Sequence, residues 1–573
     1  MAGFYGIIKE KVSENNYYNF FTKEKNTQYN FIEVKNKYLF GRHVLTKLSS
    51  DRFFEDSDAY TICFEGVNYS KKLKNTKDFI SAYEKQGINF IKEIDGLFSI
   101  LIYDKKLEKI FLVTDHLASK SIYYTVFENS IAFASEVKVV NEIMNNLKLS
   151  KTLDTDGVYL LSLYGTLQSN LTIVKEIKRL EQGRILSFDI KNNKVSIEKW
   201  YSYAPKIKKT KLNDAIEAID ALMVSNIINE WNKDLEYKNE HLTSSSGGMD
   251  AKTNLLIAHK LGFTPISTVT FGNSDSLDVK IAEEISKKYN FNHVSIYLDN
   301  GKYLEEKDLY NIYMKAIDGQ SLFNGAAHLN YSTRKLDLSN YSVYHSGQIG
   351  DLVLSSAIIK TENVLAKKQT LGYTGETSSA KILNKVTILD SLLEKYDDNL
   401  KLYYYEEKIS SGTLMGDRSI SNLIDIVSPF YNKDLISYTQ TLPNDILNNG
   451  NLYFHWLKKK HPYVLEEKWE RINMKPNAYY KFAHLKKVTK AIDLLKSKLG
   501  MSTKNMNPLA LWINENENIL KNLNHHFNTQ LEISSIDITV KKDLNEIYNN
   551  NIPNYTNKFS VINTLYAINK IFK

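Results

Sequence analysis

Short apolar runs divided by turn-forming residues fill the first 204 residues of the chain. Runs of this kind, rich in aromatic and β-branched side chains, are typical of β-strands. Two stretches, near Thr76–Gln86 and Val137–Leu147, have helical spacing instead. Many strands with few helices predict a layered, sheet-rich domain over residues 1–204. The predicted strands are Phe4–Ile8, Lys37–Phe40, Ala59–Phe64, Leu97–Tyr103, Ile110–Thr114, Ser121–Val126 and Ile131–Ala134.

The pattern changes after the polar, basic segment Pro205–Lys211, which we interpret as a linker. Strands and helices then alternate, and such alternation predicts a parallel, right-handed α/β sheet. Beyond Ile358 the chain is mostly helical, so we predict a second domain over residues 205–573 with a helical C-terminal part. The predicted strands are His241–Thr243, Ile266–Phe271, His293–Leu298 and Tyr341–His345, and the predicted helices include Leu212–Glu230, Asn254–Leu261 and Asp278–Tyr289.

Composition excludes several classes of protein. Of the 573 residues, 43% are hydrophobic and 24% are charged, which is ordinary for a globular protein, and no apolar run approaches membrane-spanning length. A net charge of +8 is too modest to indicate a nucleic-acid partner. We expect no signal peptide, and the single cysteine, Cys63, fits a reducing, cytoplasmic location. The composition is compatible with an oligomer of this chain.

A glycine turn follows the first predicted strand of the second domain. It reads Ser244-Ser245-Ser246-Gly247-Gly248-Met249-Asp250 and leads into a helix. Hydroxyl and backbone N–H groups of such a turn, together with the helix N-terminus, favour a bound phosphate. Asp250 is placed to hold a magnesium ion on that phosphate. Since ligands bind beyond the carboxyl ends of parallel strands, we expect Thr270 and Phe271, at the end of the next strand, to line the same site. The loop Phe271-Gly272-Asn273-Ser274 is expected to contact the adenine and ribose of a nucleotide bound there.

A second loop follows the strand that ends at His345. It reads Ser346-Gly347-Gln348-Ile349-Gly350-Asp351. The two loops resemble the SGGxD and SGEGSDE loops of the asparagine-synthetase family of ATP-pyrophosphatases. The resemblance implies an adenine nucleotide α-hydrolase-like fold with a PP-loop, ATP as a substrate, and magnesium held by Asp250 and Asp351. Two carboxylates that converge from two strand ends are the minimum for such a site.

The resemblance extends through the first domain. Asp95–Ile100, Asp115–Ala118 and Ala134–Lys138 are similar to segments of the family's N-terminal glutaminase domain, which implies an N-terminal-nucleophile (Ntn) αββα sandwich. The family's nucleophile is a cysteine immediately after the initiator methionine, and Ala2 occupies that position here. We therefore expect a degenerate domain that acts as a scaffold or docks a substrate. A separate ammonia source is the remaining possibility.

The synthetase loops also depart from the family pattern. Gln348 stands where the family has a catalytic glutamate, and an amide cannot act as a base. Trp469–Pro476 resembles a segment that carries a catalytic lysine, whose matching position is Arg471, with Lys475 as a second candidate. A cation there would stabilise the acyl-adenylate and the tetrahedral intermediate. The residue that deprotonates the attacking amine is unassigned.

The resemblance implies an AMP-forming ligase that joins a small-molecule or peptide carboxylate to ammonia or another amine. Because the Gly-Gln-x-Gly-Asp variant is similar to amidotransferases of surface-polysaccharide clusters, the first hypothesis is amidation of a sugar acid or cell-surface precursor. The alternatives are a lasso-type peptide macrolactam cyclase, aspartate amidation as in true asparagine synthetases, and a catalytically silent nucleotide-binding protein.

Overall fold

The structure is a computed structural model that describes most of the chain. The described residues are 3–9, 17–21, 24, 27–34, 38–203, 206–306, 308–321, 323–355, 364–372, 379–396, 399–476, 505–550 and 555–572. Ala2, the predicted strand start at Lys37, the linker start at Pro205 and Ile358 lie outside them. Within the described residues, none of the helices has the length and apolar character needed to cross a bilayer.

Seventeen strands are found in the described residues, and they form three sheets. In chain order they are β1 Gly3–Ile8, β2 Thr27–Val34, β3 Tyr38–Leu45, β4 Phe53–Asp56, β5 Tyr60–Asn68, β6 Gly96–Asp104, β7 Lys109–Thr114, β8 Tyr123–Phe127, β9 Ser130–Ala134, β10 Lys178–Arg179, β11 Arg184–Asp189, β12 Lys194–Lys199, β13 Glu240–Ser244, β14 Ile266–Gly272, β15 Asn292–Tyr297, β16 Tyr341–His345 and β17 Asp425–Val427.

The first twelve strands form two antiparallel sheets that pack face to face. Their orders are β10-β8-β9-β1-β3-β2 and β12-β11-β7-β6-β5-β4. Phe4 and Phe133 from the first sheet share a buried cluster with Cys63 and Leu112 from the second. Helices α1 (Thr76–Gln86) and α2 (Val137–Asn146) cover the outer faces of the second and first sheets, respectively. The layers are therefore helix, sheet, sheet and helix.

The last five strands form a parallel sheet in the order β15-β14-β13-β16-β17. Because β14 and β16 lie on opposite sides of β13, the chain reverses its direction of travel across the sheet between β13 and β16. Ligands in parallel sheets bind in the crevice at such a switch point. The parallel sheet and the mixed α/β architecture agree with the prediction from the sequence.

Most of the remaining chain is helical. The other helices are α3 Thr155–Tyr164, α4 Leu212–Glu236, α5 Met249–Lys260, α6 Leu277–Tyr289, α7 Leu309–Ile317, α8 Phe323–Thr333, α9 Gly350–Leu354, α10 Val364–Leu371, α11 Ala380–Leu383, α12 Ile388–Tyr396, α13 Leu400–Tyr403, α14 Leu414–Arg418, α15 Lys433–Gln440, α16 Asn444–Leu447, α17 Asn451–Lys460, α18 Leu509–Glu515, α19 Glu517–Ile533, α20 Ile538–Asn549 and α21 Thr556–Ile571. Between α13 and α14 runs a π-helix, Tyr404–Thr413, and 3₁₀ turns occupy Tyr17–Phe20, Gly87–Glu93, Asp299–Glu305, Pro429–Tyr431, Asn448–Gly450 and Pro462–Glu466.

A buried carboxylate fixes α4 against the two central strands of the parallel sheet. Asp234 Oδ2 lies 2.9 Å from His241 Nδ1 on β13 and 2.8 Å from His345 Nε2 on β16. The other oxygen, Oδ1, accepts hydrogen bonds from the backbone N–H groups of Ser342 and Val343. Hydrogen bonds between buried groups are strong because the local dielectric constant is low. The cluster therefore holds the two strands whose ends carry the candidate loops.

Candidate functional site

The loop after β13 is held from both sides. The Gly247 N–H donates to Asp278 Oδ1 over 3.1 Å, and its carbonyl accepts from the Glu470 N–H over 3.2 Å. A Cβ atom at Gly247 would stand 2.7 Å from the Glu470 Cβ, so no larger residue fits there. Among the described residues, no side chain caps the start of α5, so the N–H groups of its first turn are free to meet a ligand at the loop. This arrangement suits a bound anion.

Small residues in the loop after β16 allow it to touch the start of α5. A Cβ atom at Gly347 would lie 2.3 Å from the Ala251 nitrogen, and one at Gly350 would lie 2.5 Å from the Asp250 Cγ. The Asp351 N–H donates to Asp250 Oδ2 over 2.9 Å. The structure therefore brings the two predicted magnesium ligands together. Burial, and then the neighbouring Asp351 carboxylate, raise the pKa of Asp250 to about 7.

A cavity of about 570 Å³ opens above these two loops. Such a volume is typical of small-molecule sites. Most of the predicted site residues line it: Ser244, Ser245, Ser246, Gly248, Met249, Asp250, Thr270, Phe271, Ser346, Gly347, Gln348, Asp351 and Arg471. Gly247 does not line it, because its role is to pack against Glu470. We call this the first cavity.

Three polar atoms at the first cavity lack a hydrogen-bond partner among the described residues. They are Ser245 Oγ, Thr270 Oγ1 and Glu470 Oε2. A buried polar group without a partner costs free energy, so such groups in a native structure call for a ligand or ordered water. Phe271 and His328 also line the cavity, with ring centroids 5.3 Å apart, and provide flat surfaces. The lining therefore combines polar groups and glycines with aromatic rings.

A second cavity, of about 780 Å³, adjoins the first. The two share Leu329, Gln348, Asp351, Ser355 and Arg471. One wall of the second cavity is the π-helix, which contributes Tyr404, Lys408, Ile409, Gly412 and Thr413. π-Helical segments occur frequently at functional sites. Burial lowers the pKa of Lys408 to about 8, and Asp417 of α14 lies on the same cavity.

The structure separates the two candidate catalytic cations. Arg471 lines both cavities, and its Nη2 lies 4.0 Å from Asp351 Oδ2. Lys475 lines neither cavity, and its Nζ is 2.9 Å from Glu466 Oε2 at the surface. This geometry favours Arg471 over Lys475.

Sequence reasoning missed several residues of the site. Lys252 is buried beside the glycine loop, donates to the Lys468 carbonyl, and has its pKa lowered to about 8 by burial. Glu470, Asp417 and Lys408 were also not singled out. Lys252 directly follows the recognised motif and could have been chosen from it, whereas the others belong to helices and turns without a short motif. Only their position in space relates them to the site.

Cys63 lies in the middle of β5 and lines neither the first nor the second cavity. The thiol is fully buried between the two antiparallel sheets, and burial raises its pKa to about 12. A thiol of this kind is not a nucleophile at neutral pH. Position 2, where a glutaminase nucleophile was expected to be missing, lies outside the described residues.

Comparisons with known proteins find similarity over part of the chain. A glutamine amidotransferase domain model matches residues 68–201. The chain is 26% identical over 260 residues to asparagine synthetase (glutamine-hydrolysing) 2 of Bacillus subtilis, covering 41% of this chain and 33% of the relative. It is 31% identical over 143 residues to a putative asparagine synthetase (glutamine-hydrolysing) 2 of Methanocaldococcus jannaschii, covering 24% and 27%.

The matches span about a third of the length of these curated relatives. Among solved structures, glutamine phosphoribosylpyrophosphate amidotransferase of Bacillus subtilis, complexed with ADP and GMP, is similar over 53% of this chain and 92% of its own. The identity is 9% and the TM-score 0.25, too low to support an argument about fold. In the matching domain and in the aligned segments, the chain is similar to proteins of the asparagine-synthetase family.

Proposed function

We propose that the protein is an ATP-dependent carbon–nitrogen ligase that adenylates a carboxylate and transfers the acyl group to an amine. One observation carries the proposal. Two glycine-containing loops from adjacent parallel strands bring Asp250 and Asp351 together, where a nucleotide-sized cavity meets a second cavity. ATP in the first cavity and an acid in the second would meet at Asp351, Gln348 and Arg471.

The residues present fit ATP and magnesium. The Ser245 and Thr270 hydroxyls, which have no hydrogen-bond partner among the described residues, suit phosphate oxygens, as does the start of α5, and Phe271 with His328 suits an adenine ring. Asp250 and Asp351 would hold a magnesium ion, which when bound supplies positive charge to the phosphates. The raised pKa of Asp250 supports this, because two adjacent carboxylates lacking a cation repel each other.

The proposed reaction has two steps. A substrate carboxylate oxygen attacks the α-phosphorus of ATP and pyrophosphate leaves, which gives an acyl-adenylate. An amine nitrogen then attacks the acyl carbon, the bond to AMP breaks, and a proton leaves the nitrogen. Arg471 lines both cavities, where its guanidinium would stabilise the negative charge that develops on the acyl oxygen as the amine attacks the acyl carbon.

The proposal does not include hydrolysis of glutamine by this chain. Its only cysteine, Cys63, is buried within the packed sheets and has a strongly raised pKa. The amine would then come from free ammonia, a separate source, or the substrate itself.

We propose a sugar acid or a similar cell-surface precursor as the acid. The second cavity supports a substrate larger than aspartate, because about 780 Å³ exceeds what a single small amino acid fills. Tyr404 and the Lys408 amine on its π-helical wall would offer a stacking surface and a cation to such an acid.

ATP–pyrophosphate exchange tests the proposal. Labelled pyrophosphate would be incubated with ATP, magnesium and one acid at a time: nucleotide-linked uronic acids, aspartate, and peptides with a side-chain carboxylate. We expect exchange with the uronic acids, and Asp351→Asn should lower it about 100-fold or more because a metal ligand is lost. Glu517→Gln, which removes an exposed carboxylate on α19, should leave exchange unchanged.

The remaining outcomes discriminate between the alternatives. Exchange with peptides alone would indicate a macrolactam cyclase, and exchange with aspartate alone would indicate asparagine synthesis. Magnesium-dependent ATP binding without exchange on any acid would contradict the ligase and indicate a silent nucleotide-binding protein.

A further inference from the structure

Gln348, Asp417 and Tyr431 form a closed triangle of contacts at the edge of the second cavity. Gln348 Nε2 donates to Asp417 Oδ1 over 2.8 Å. The Tyr431 hydroxyl lies 2.8 Å from Asp417 Oδ2 and 2.6 Å from Gln348 Oε1. Asp417 and Tyr431 are buried, and both Gln348 and Asp417 line the cavity.

Three contacts need three hydrogens, and the side chains do not supply three when Asp417 is ionised. The amide donates one hydrogen to Asp417, and the phenol has one hydrogen for either of its two acceptors. The third must sit on the Asp417 carboxyl. Exchanging the amide oxygen and nitrogen of Gln348 does not change the count, because the amide then donates to Tyr431 and its oxygen faces the carboxylate. The triangle is therefore one proton short until Asp417 is protonated.

From this geometry we propose that Asp417 is the general base that takes the proton from the attacking amine. The inference rests on the proposed ligase function and assigns the base that Gln348 cannot provide. As the nitrogen–carbon bond forms and the carbon–oxygen bond to AMP breaks, AMP leaves with the bonding electron pair. The proton that leaves the nitrogen binds an Asp417 oxygen and completes the triangle. The Asp417 carboxylate therefore gains a hydrogen bond when it accepts the proton, and this favours proton transfer from the amine to Asp417.

The surroundings of Asp417 agree with this role. Burial raises its pKa to about 6, against the lowering effects of the Tyr431 and Gln348 hydrogen bonds and the charges of Arg418 and Lys120. Lys408, Arg471 and Asp351 line the same cavity. Near neutral pH such a carboxylate is mostly ionised, yet more basic than an exposed aspartate, which suits a base.

The decisive variant is Asp417→Asn. An asparagine copies the protonated acid, because its oxygen accepts from Gln348 while its amide donates to Tyr431, so the fold is retained. We expect the variant to keep acid-dependent ATP–pyrophosphate exchange within about threefold of wild type, while amide formation from ammonium falls about 100-fold or more, the usual contribution of a general base. Hydroxamate formation from hydroxylamine should fall much less, since a weakly basic nucleophile loses its proton readily to water.

A pH profile provides a second readout. For the wild type, amide formation should rise with pH through a limb near pH 6, and this limb should be absent in Asp417→Asn. The matched control is Asp543→Asn on α20. It removes a buried carboxylate that accepts hydrogen bonds from Tyr159 and Lys385. Its ratio of amide formation to exchange should equal that of the wild type.

The outcomes separate this inference from the proposed function. Loss of exchange and of both amine reactions together in Asp417→Asn would mean a structural role, and unchanged amide formation would mean another base; either would overturn the inference. Absence of exchange in the wild type would overturn the ligase itself. In that case the triangle is still testable, because an infrared band of a protonated carboxyl that titrates near pH 6 and is missing in Asp417→Asn would confirm the proton site.

Discussion

Two pairs of acidic residues in the protein have opposite surroundings. Glu65 and Asp425 lie where the antiparallel sheets meet the parallel sheet, and Arg52 contacts both while Lys120 also contacts Asp425. Burial alone would raise the pKa of Asp425, but Lys120 and Arg52 lower it below its ordinary value. Asp250 and Asp351, by contrast, face each other and a cavity, and the pKa of Asp250 rises.

The contrast distinguishes structural charges from functional ones. At the first cluster, opposite charges are matched within the protein, and an adjoining cavity holds only about 30 Å³. At the second, like charges are held together beside cavities of about 570 and 780 Å³. Like charges persist in a folded protein where a function maintains them, since they cost stability. The first cluster joins the two halves of the chain, and the second is where an external cation and substrate are expected.

Arg52→Met should have the largest effect. It leaves Glu65 and Asp425 buried, with only Lys120 to compensate, so we expect a loss of about 3–5 kcal/mol in the free energy of unfolding. Urea denaturation followed by tryptophan fluorescence measures it. Lys521→Met, which breaks an exposed pair with Glu517, should cost no more than about 0.5 kcal/mol. Equal effects of the two substitutions would refute the structural role of the Arg52 cluster.

Gly347→Ala should separate the two loops of the second cluster. The added Cβ would stand 2.3 Å from the Ala251 nitrogen, so the backbones must move apart and misplace both carboxylates. We expect ATP–pyrophosphate exchange to fall about 100-fold, because misplacing catalytic groups by about 1 Å costs about that much in rate. In the control Gly262→Ala, no atom of the described residues lies within 4 Å of the added Cβ, but φ is +94°, so it should cost about 1 kcal/mol of stability and retain exchange. Wild-type exchange activity in Gly347→Ala would contradict the assignment of the loop after β16 to the ATP site.

Arg471→Met and Lys475→Met test the choice between two similarly exposed cations. Since Arg471 lines both cavities and Lys475 pairs with Glu466, we expect amide formation to fall about 10–100-fold in the first variant and less than about twofold in the second. Single-turnover kinetics of the second step would show the difference. The reverse result would return the catalytic role to Lys475.

Asp250→Asn should stabilise the fold at high pH when metal is removed by EDTA. The folded-state pKa of Asp250, about 7, exceeds its unfolded value of about 4, so the stability linked to this group is lost as pH rises between those values. Asparagine stays neutral at every pH, so we expect the free energy of unfolding to rise by about 1–2 kcal/mol at pH 8. This is less than the pKa shift converts to at about 1.4 kcal/mol per pKa unit, because solvent screens the partly exposed group.

Thermal melting at several pH values measures this gain, which should shrink towards pH 5. Glu517→Gln, an exposed acid far from the site, is the control and should change little at any pH. A stability gain independent of pH would contradict the assignment of the charge effect to Asp250.

The loops of the site were predictable from the sequence because their chemistry is local. A glycine turn between a strand and a helix contains its own hydroxyls, N–H groups and carboxylate within seven residues, as in Ser244–Asp250. Alternating strands and helices likewise indicated a parallel sheet, and the carboxyl-end rule placed Thr270, Phe271 and Ser346 at the same edge. These residues do line the first cavity. Short elements such as β4 and β17 were missed, because three or four residues carry no readable periodicity.

What the sequence alone determined was therefore the family resemblance, the mixed architecture and the two loops. The tertiary structure decided which cation faces the cavities, since Arg471 and Lys475 are four positions apart in one segment and only packing separates them. It also brought Asp417 to Gln348 across 69 residues and Arg52 to Asp425 across 373. Hydrogen bonds and charges act over a few ångströms in space, whatever the separation along the chain, so no local pattern could reveal these partners.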